Sequence, residues 1–163
     1  MSVTISGSGQ IIKQVIQTVV TSSFTTTSGT ATDITGLTAT ITPTNSANKI
    51  LVFTNINHAE DSSTPYPKLF LQRNGTNIGL GDAIGSAVQV STGAYAGGAV
   101  DSVLYPATMM YLDSPATTSA VTYKWQVYTF SGRTFYLNRT GTTGDTNRTS
   151  ASSSITLMEV AYA

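Results

Sequence analysis

Between positions 121 and 130 the chain alternates with a period of two. Val121, Tyr123, Trp125 and Val127 fall on one side, and Thr122, Lys124, Gln126 and Tyr128 on the other. Only an extended strand places successive side chains on opposite faces, so this run is a half-buried strand. Similar runs recur along the chain, separated by turn residues. Residues 10–21 are rich in Ile and Val. Leu37, Ala39 and Ile41 alternate with Thr38, Thr40 and Thr42 until Pro43 ends the run. Residues 49–57 carry apolar side chains on both sides, with Ile50, Val52 and Ile56 opposed to Leu51 and Phe53. That pattern predicts a strand covered on both faces, by the chain itself or by a neighbouring subunit.

The second half reads the same way. Residues 68–73 form a strand that ends in Asn74-Gly75, a hairpin signal because both residues tolerate positive φ. Residues 77–80 are the return strand. Residues 81–98, rich in Gly, Ala and Ser, read as weak strand and loop. Strands follow at 103–112, 135–138 and 155–160. A turn at Asp113-Ser114-Pro115 and a long Thr, Gly, Asn and Ser loop over 140–154 lie between them. No segment favours a helix, since the one helical-wheel candidate, 10–20, is built of β-branched residues. The expectation is an all-β fold: one antiparallel two-sheet sandwich over 1–163, jelly-roll-like, with residues 1–10 as a short N-terminal arm. That arm could add to a neighbour's sheet edge.

Composition narrows the function. Charged residues make up 10% of the chain and cancel to a formal net charge of zero, against about 25% charged in an ordinary soluble protein. No basic face is available to neutralise phosphates, so nucleic acid is not an expected partner. No polybasic patch or long apolar run supports membrane binding or insertion. Polarity comes instead from 29 Thr and 19 Ser. Residues 1–10 lack the basic and apolar regions of a signal peptide. Cysteine is absent, which excludes disulfides and thiolate chemistry.

Catalytic groups are scarce. The single histidine, His58, stands in Asn57-His58-Ala59-Glu60-Asp61. A metal site from His58, Glu60 and Asp61 is conceivable, but a polar loop at a strand end is the better reading, because a metal needs three or four converging ligands. No nucleophile elbow or phosphate loop is present, and a glycosidase pair of carboxylates at defined separation could be assembled only through tertiary structure. No cofactor and no enzymatic activity are expected. The Asn-x-Thr matches at Asn74, Asn138 and Asn147 read as turns and strand edges. Tyr66, Tyr95, Tyr105, Tyr111, Tyr128 and Tyr136 read mainly as packing residues with a wet hydroxyl. The most plausible surface recognition loop is 136–150, with Tyr136, Asn138, Arg139, Asp145, Asn147 and Arg148, because it is long and polar.

Several strings resemble, in order and spacing, a family of small virion proteins of tailed phages, many marine or cyanobacterial. They are residues 33–43 (DITGLTATITP), 48–52 (NKILV), 72–79 (QRNGTNIG), 111–119 (YLDSPATTS), 122–127 (TYKWQV), 136–139 (YLNR) and 154–160 (SITLMEV). The resemblance implies a β-sandwich head that assembles as a homotrimer and sits on the virion surface, as a capsid knob or a fibre tip. It carries no catalytic residues. The expected role is a capsid decoration, or cement, protein bound to the major capsid protein. The alternative is the receptor-binding tip of a tail fibre or tailspike recognising host surface glycans.

Overall fold

The computed structural model describes residues 11–61, 67–93, 100–130, 132–144 and 146–161. The expected arm, 1–10, lies outside them. Eleven strands occur in the order β1 (Ile12–Val20), β2 (Phe24–Thr26), β3 (Thr32–Ile41), β4 (Lys49–Glu60), β5 (Lys68–Arg73), β6 (Thr76–Ile78), β7 (Thr92–Gly93), β8 (Tyr105–Asp113), β9 (Val121–Tyr128), β10 (Phe135–Leu137) and β11 (Ser153–Val160), with a 3-10 turn at Val100–Ser102. They form two antiparallel sheets packed face to face, and no α-helix is present among the described residues.

In the first sheet β1, β11, β4 and β8 lie side by side, and β10 takes over from β11 along the far part of β4, with β2 outside it. The second sheet runs β3-β9-β5-β6, with β7 also on β5. The pairing is nested: β1 with β11, β3 with β9, β4 with β8, β5 with β6. Such a chain is one long hairpin rolled into two sheets, the double Greek key of a jelly roll. Its tip is Asn74-Gly75, where φ is +47° and +86°, as a two-residue hairpin turn of this hand requires. Asn74 also exchanges bonds with Thr122, its N–H donating to the Thr122 carbonyl at 2.9 Å and its Oδ1 accepting from the Thr122 N–H at 2.9 Å.

The core lies between the sheets. From β4 it takes Ile50, Val52 and Ile56; from β9 it takes Val121, Tyr123, Trp125 and Val127; from β11 it takes Ile155 and Leu157. The alternation expected for 121–128 is therefore correct. Trp125 is wholly buried, and its Nε1–H donates to Thr54 Oγ1 at 3.2 Å, so the indole leaves no orphan donor. Three elements differ from expectation. β3 starts at Thr32 instead of Leu37, because a bulge around Gly36 (φ +83°) lets the strand continue through a break in register. β2 is a short edge strand held by β10. β4 runs on through His58 to Glu60, because β8 and β10 supply ladder partners there.

One end of the sandwich is closed by carboxylates. Glu159 on β11 is buried and accepts from Asn48 Nδ2 (2.6 Å), Thr44 N (2.7 Å), Thr44 Oγ1 (2.8 Å) and Gln14 Nε2 (2.7 Å). Burial pushes this carboxyl up, but the four donors outweigh it and hold it down at about 2. The β3–β4 loop is thereby tied to β1 and β11. Beside it, Asp113 at the end of β8 accepts Arg73 Nη1 at 2.8 Å and the Tyr123 hydroxyl at 2.6 Å, joining the two sheets. Burial and the bond to Asp113 both keep the Tyr123 hydroxyl protonated.

Because Glu159 binds protons less readily folded than unfolded, its contribution is complete above about pH 4.5 and is lost as pH falls toward 2. Glu159→Gln should cost about 3 kcal/mol at pH 7 and flatten the acid loss of stability in that window. Urea titrations from pH 7 to pH 2 check both.

Candidate recognition surface

The expected recognition loop leaves the sandwich at the end opposite Glu159. β10 stops at Leu137, and Asn138 turns the chain with φ +61°, a conformation that asparagine tolerates better than most residues. Arg139 then bridges Ser150, and the Thr140 N–H donates to the Thr149 carbonyl at 3.3 Å, which closes the neck of the loop. The 100–102 turn braces it from the side. The Gly141 N–H donates to the Asp101 carbonyl at 2.7 Å, Thr142 Oγ1 to Asp101 Oδ2 at 2.9 Å, and Arg148 Nη1 to the Ser102 carbonyl at 3.4 Å.

Arg139 and Arg148 are brought together. With Thr140, Thr143, Gly144, Thr149 and Ser150 they line an open, polar cleft of about 200 Å³. Arg139 lies over the Tyr136 ring, 4.6 Å from its centroid, and donates to the carbonyls of Thr140 and Gly141 and to Thr25 Oγ1. Its position is fixed by protein contacts. Arg148 Nε is buried with no hydrogen-bond partner among the described residues. Two guanidiniums flanked by hydroxyls suit an oxygen-rich ligand.

Asn138 needs correcting. It is buried, and its amide donates to the carbonyls of Val20 (2.7 Å) and Ser22 (3.0 Å) while Oδ1 accepts from Ser153 Oγ (2.6 Å). It is a strut that joins β1, β10 and β11, with no surface left for a ligand. Tyr136 is half-buried on β10, Asn147 sits on an exposed turn outside the cleft lining, and Asp145 lies outside the described residues. Asp101 and Ser102, which brace the loop from 40 or more positions away in sequence, carry no motif that would have revealed them. Of the other tyrosines, Tyr66 and Tyr95 lie outside the described residues, Tyr111 packs on the core, and Tyr128 lies under Lys68 Nζ at 4.6 Å.

The 58–61 segment is also not the polar loop expected. His58 and Glu60 are both fully buried on β4 and point into the sandwich. Asp61 turns elsewhere, its Oδ1 accepting the Thr134 N–H at 2.9 Å. The three do not converge, and among the described residues no group of three His, Asp or Glu could hold a metal ion. The His58 ring stacks on Phe135 at 5.3 Å, and neither ring nitrogen has a hydrogen-bond partner among the described residues. Burial lowers its pKa to about 4. Burial likewise raises Glu60 to about 8, against one weak donor among the described residues, Thr129 Oγ1 at 3.4 Å.

Comparison with known protein families gives no match, and a search of curated proteins gives none either.

Two outcomes follow. Asn138→Ala should cost roughly 2–4 kcal/mol, from lost bonds, stranded carbonyls and an unfavourable φ, read by chemical denaturation. Glu60 binds its proton more tightly folded than unfolded, so its burial costs stability progressively from about pH 4.5 to pH 8. His58 opposes this only below about pH 6.5. Stability should therefore fall between pH 6.5 and 8, by on the order of a few kcal/mol at most. Glu60→Gln should remove that slope.

Proposed function

We propose that this chain is a structural protein of a phage particle, a capsid decoration protein that binds the coat surface and acts without chemistry. The observation that carries the reading is the nested strand order, which makes a jelly roll, a sandwich type used in viral capsid domains. The fold is also the one implied by the resemblance of segments 33–43, 72–79, 122–127 and 154–160 to phage virion proteins. The site chemistry agrees with this role. Glu159 and Asp113 are consumed in internal networks, and His58 and Glu60 are held apart from solvent. Binding would then rest on area, at about 25 cal/mol per Å² of apolar surface before association costs.

The experiment is the copy number of the chain in purified particles, by quantitative mass spectrometry against the coat protein. A number comparable to the coat protein, and loss of particle resistance to heat when the chain is stripped, are expected. Absence from particles defeats the reading.

The Arg139–Arg148 cleft favours a second reading, the receptor-binding tip of a tail fibre that recognises host glycans. A low copy number matching fibres would support it. So would purified protein that blocks infection while Arg148→Ala does not.

A further inference from the structure

The two sheets present unlike outer faces. On the second sheet that face is polar and charged. Asp33 accepts Lys124 Nζ at 2.7 Å and Gln126 Nε2 at 2.6 Å, and Thr40 and Thr122 share a hydroxyl bond of 2.8 Å. The first sheet is different. The register sets Val15, Met158, Leu51 and Leu112 side by side across four strands, with Phe53 and Met110 adjacent in the next row. A bulge between Ile12 and Gln14 brings Ile12 opposite Val160, extending the patch to the end of the sheet. Met110 is 69% exposed, Leu112 54%, Val15 51% and Phe53 45%.

This face is built to lose water at low cost. Three of its polar members are already paired within the chain: Gln17 Nε2 donates to Thr156 Oγ1 at 2.9 Å, and Asn57 Nδ2 to the Ser152 carbonyl at 2.6 Å. Its basic residues, Lys13 and Lys49, lie at one end, and Lys49 Nζ donates to Ser114 Oγ at 2.6 Å. Covering the rows from Val15 to Met110 therefore buries no unpaired charge. Four strands about 4.8 Å apart and some eight residues long give a footprint of roughly 500 Å². The apolar rows occupy part of that face, in the size range of the largest apolar patch on a monomer, which is often functional. Two such faces together would bury about 1,000 Å², the lower bound for a specific interface.

We infer that the outer face of the first sheet is a self-association surface, which packs against the same face of a second copy of this chain. A partner of opposite charge has nothing here to read, because the apolar rows carry no charge. What matches a twisted, uncharged sheet is another sheet of the same twist, stacked about 10 Å away, and a second copy supplies it by a two-fold operation, a pairing distinct from the homotrimer that the resemblance implies. The inference names a partner within the assembly role proposed above, and it rests on that reading for its place in a particle.

The test is sedimentation velocity on the purified full chain, with Met110→Lys, Leu112→Lys and, as a control off this face, Ile84→Lys. Ile84 is 74% exposed. All three side chains are exposed, and circular dichroism confirms that each variant is folded. Wild type and Ile84→Lys should self-associate, and Met110→Lys and Leu112→Lys should weaken association at least tenfold. A wild type monomeric at about 100 μM, or variants that associate as wild type does, overturns the inference. If wild type is monomeric and Met110→Lys abolishes binding to particles, the face belongs to the coat and the inference fails. A chain that associates through this face but is absent from particles upholds the inference and defeats the virion reading.

Discussion

Everything in this molecule depends on first-to-last strand pairing. β1 can complete its ladder only with β11, which follows it by more than a hundred residues, and β3 only with β9. No part of either sheet can close on local contacts alone, apart from the β5–β6 hairpin. The positive φ values at Asn74 and Gly75 start that hairpin. β4 then acts as the spine, because β8 runs along one edge while β11 and β10 share the other. Loop closure over such distances is slow and must precede the reward of burial. A hairpin with a strongly specified turn, at the midpoint of the nested pairing, shortens that search.

Polar groups finish what the strands begin, and environment decides their charge. Glu159 and Glu60 are both buried glutamates at opposite ends of the sandwich. Glu159 meets donors from Gln14, Thr44 and Asn48 and stays ionised. Glu60 has one long contact to Thr129 beside an uncharged histidine, and is held neutral over a wide range. The difference lies in how many N–H and O–H groups converge, since desolvation raises both. Glu159 therefore works as a clamp on the 42–48 loop, whereas Glu60 is a cost that the surrounding packing carries.

Strands were legible wherever period two held. Residues 121–128 could be assigned to core and surface by counting alone, and Asn74-Gly75 marked its hairpin without help from context. The bulge at Gly36 was not legible, because a register break depends on what β9 offers across the ladder. Nor was the burial of His58, Glu60 and Asn138. Each is a polar residue in a polar string, and each turns inward because a neighbouring strand or carbonyl lies there. In the 136–150 loop, Arg139 and Arg148 were legible through loop length and polarity. The bracing by Asp101 and Ser102 is tertiary, and no local signal carries it.

The apolar run on both sides of 49–57 predicts a strand covered on both faces, by the chain itself or by a neighbouring subunit. The structure covers one side with the second sheet and leaves Leu51 and Phe53 facing outward. A net charge of zero removes the long-range repulsion that keeps most proteins apart. Contact between copies is then governed at short range by whichever surface costs least to dry. The second sheet cannot be that surface, since Asp33, Lys124 and Gln126 would have to lose water from exposed positions. Its hydroxyl and charged face favours contact with water, while Gln17, Thr156 and Asn57 on the other face already hold partners within the chain. The same low charge that gives no basic face for phosphates leaves alternation to set which sheet face is offered for the contact inferred above.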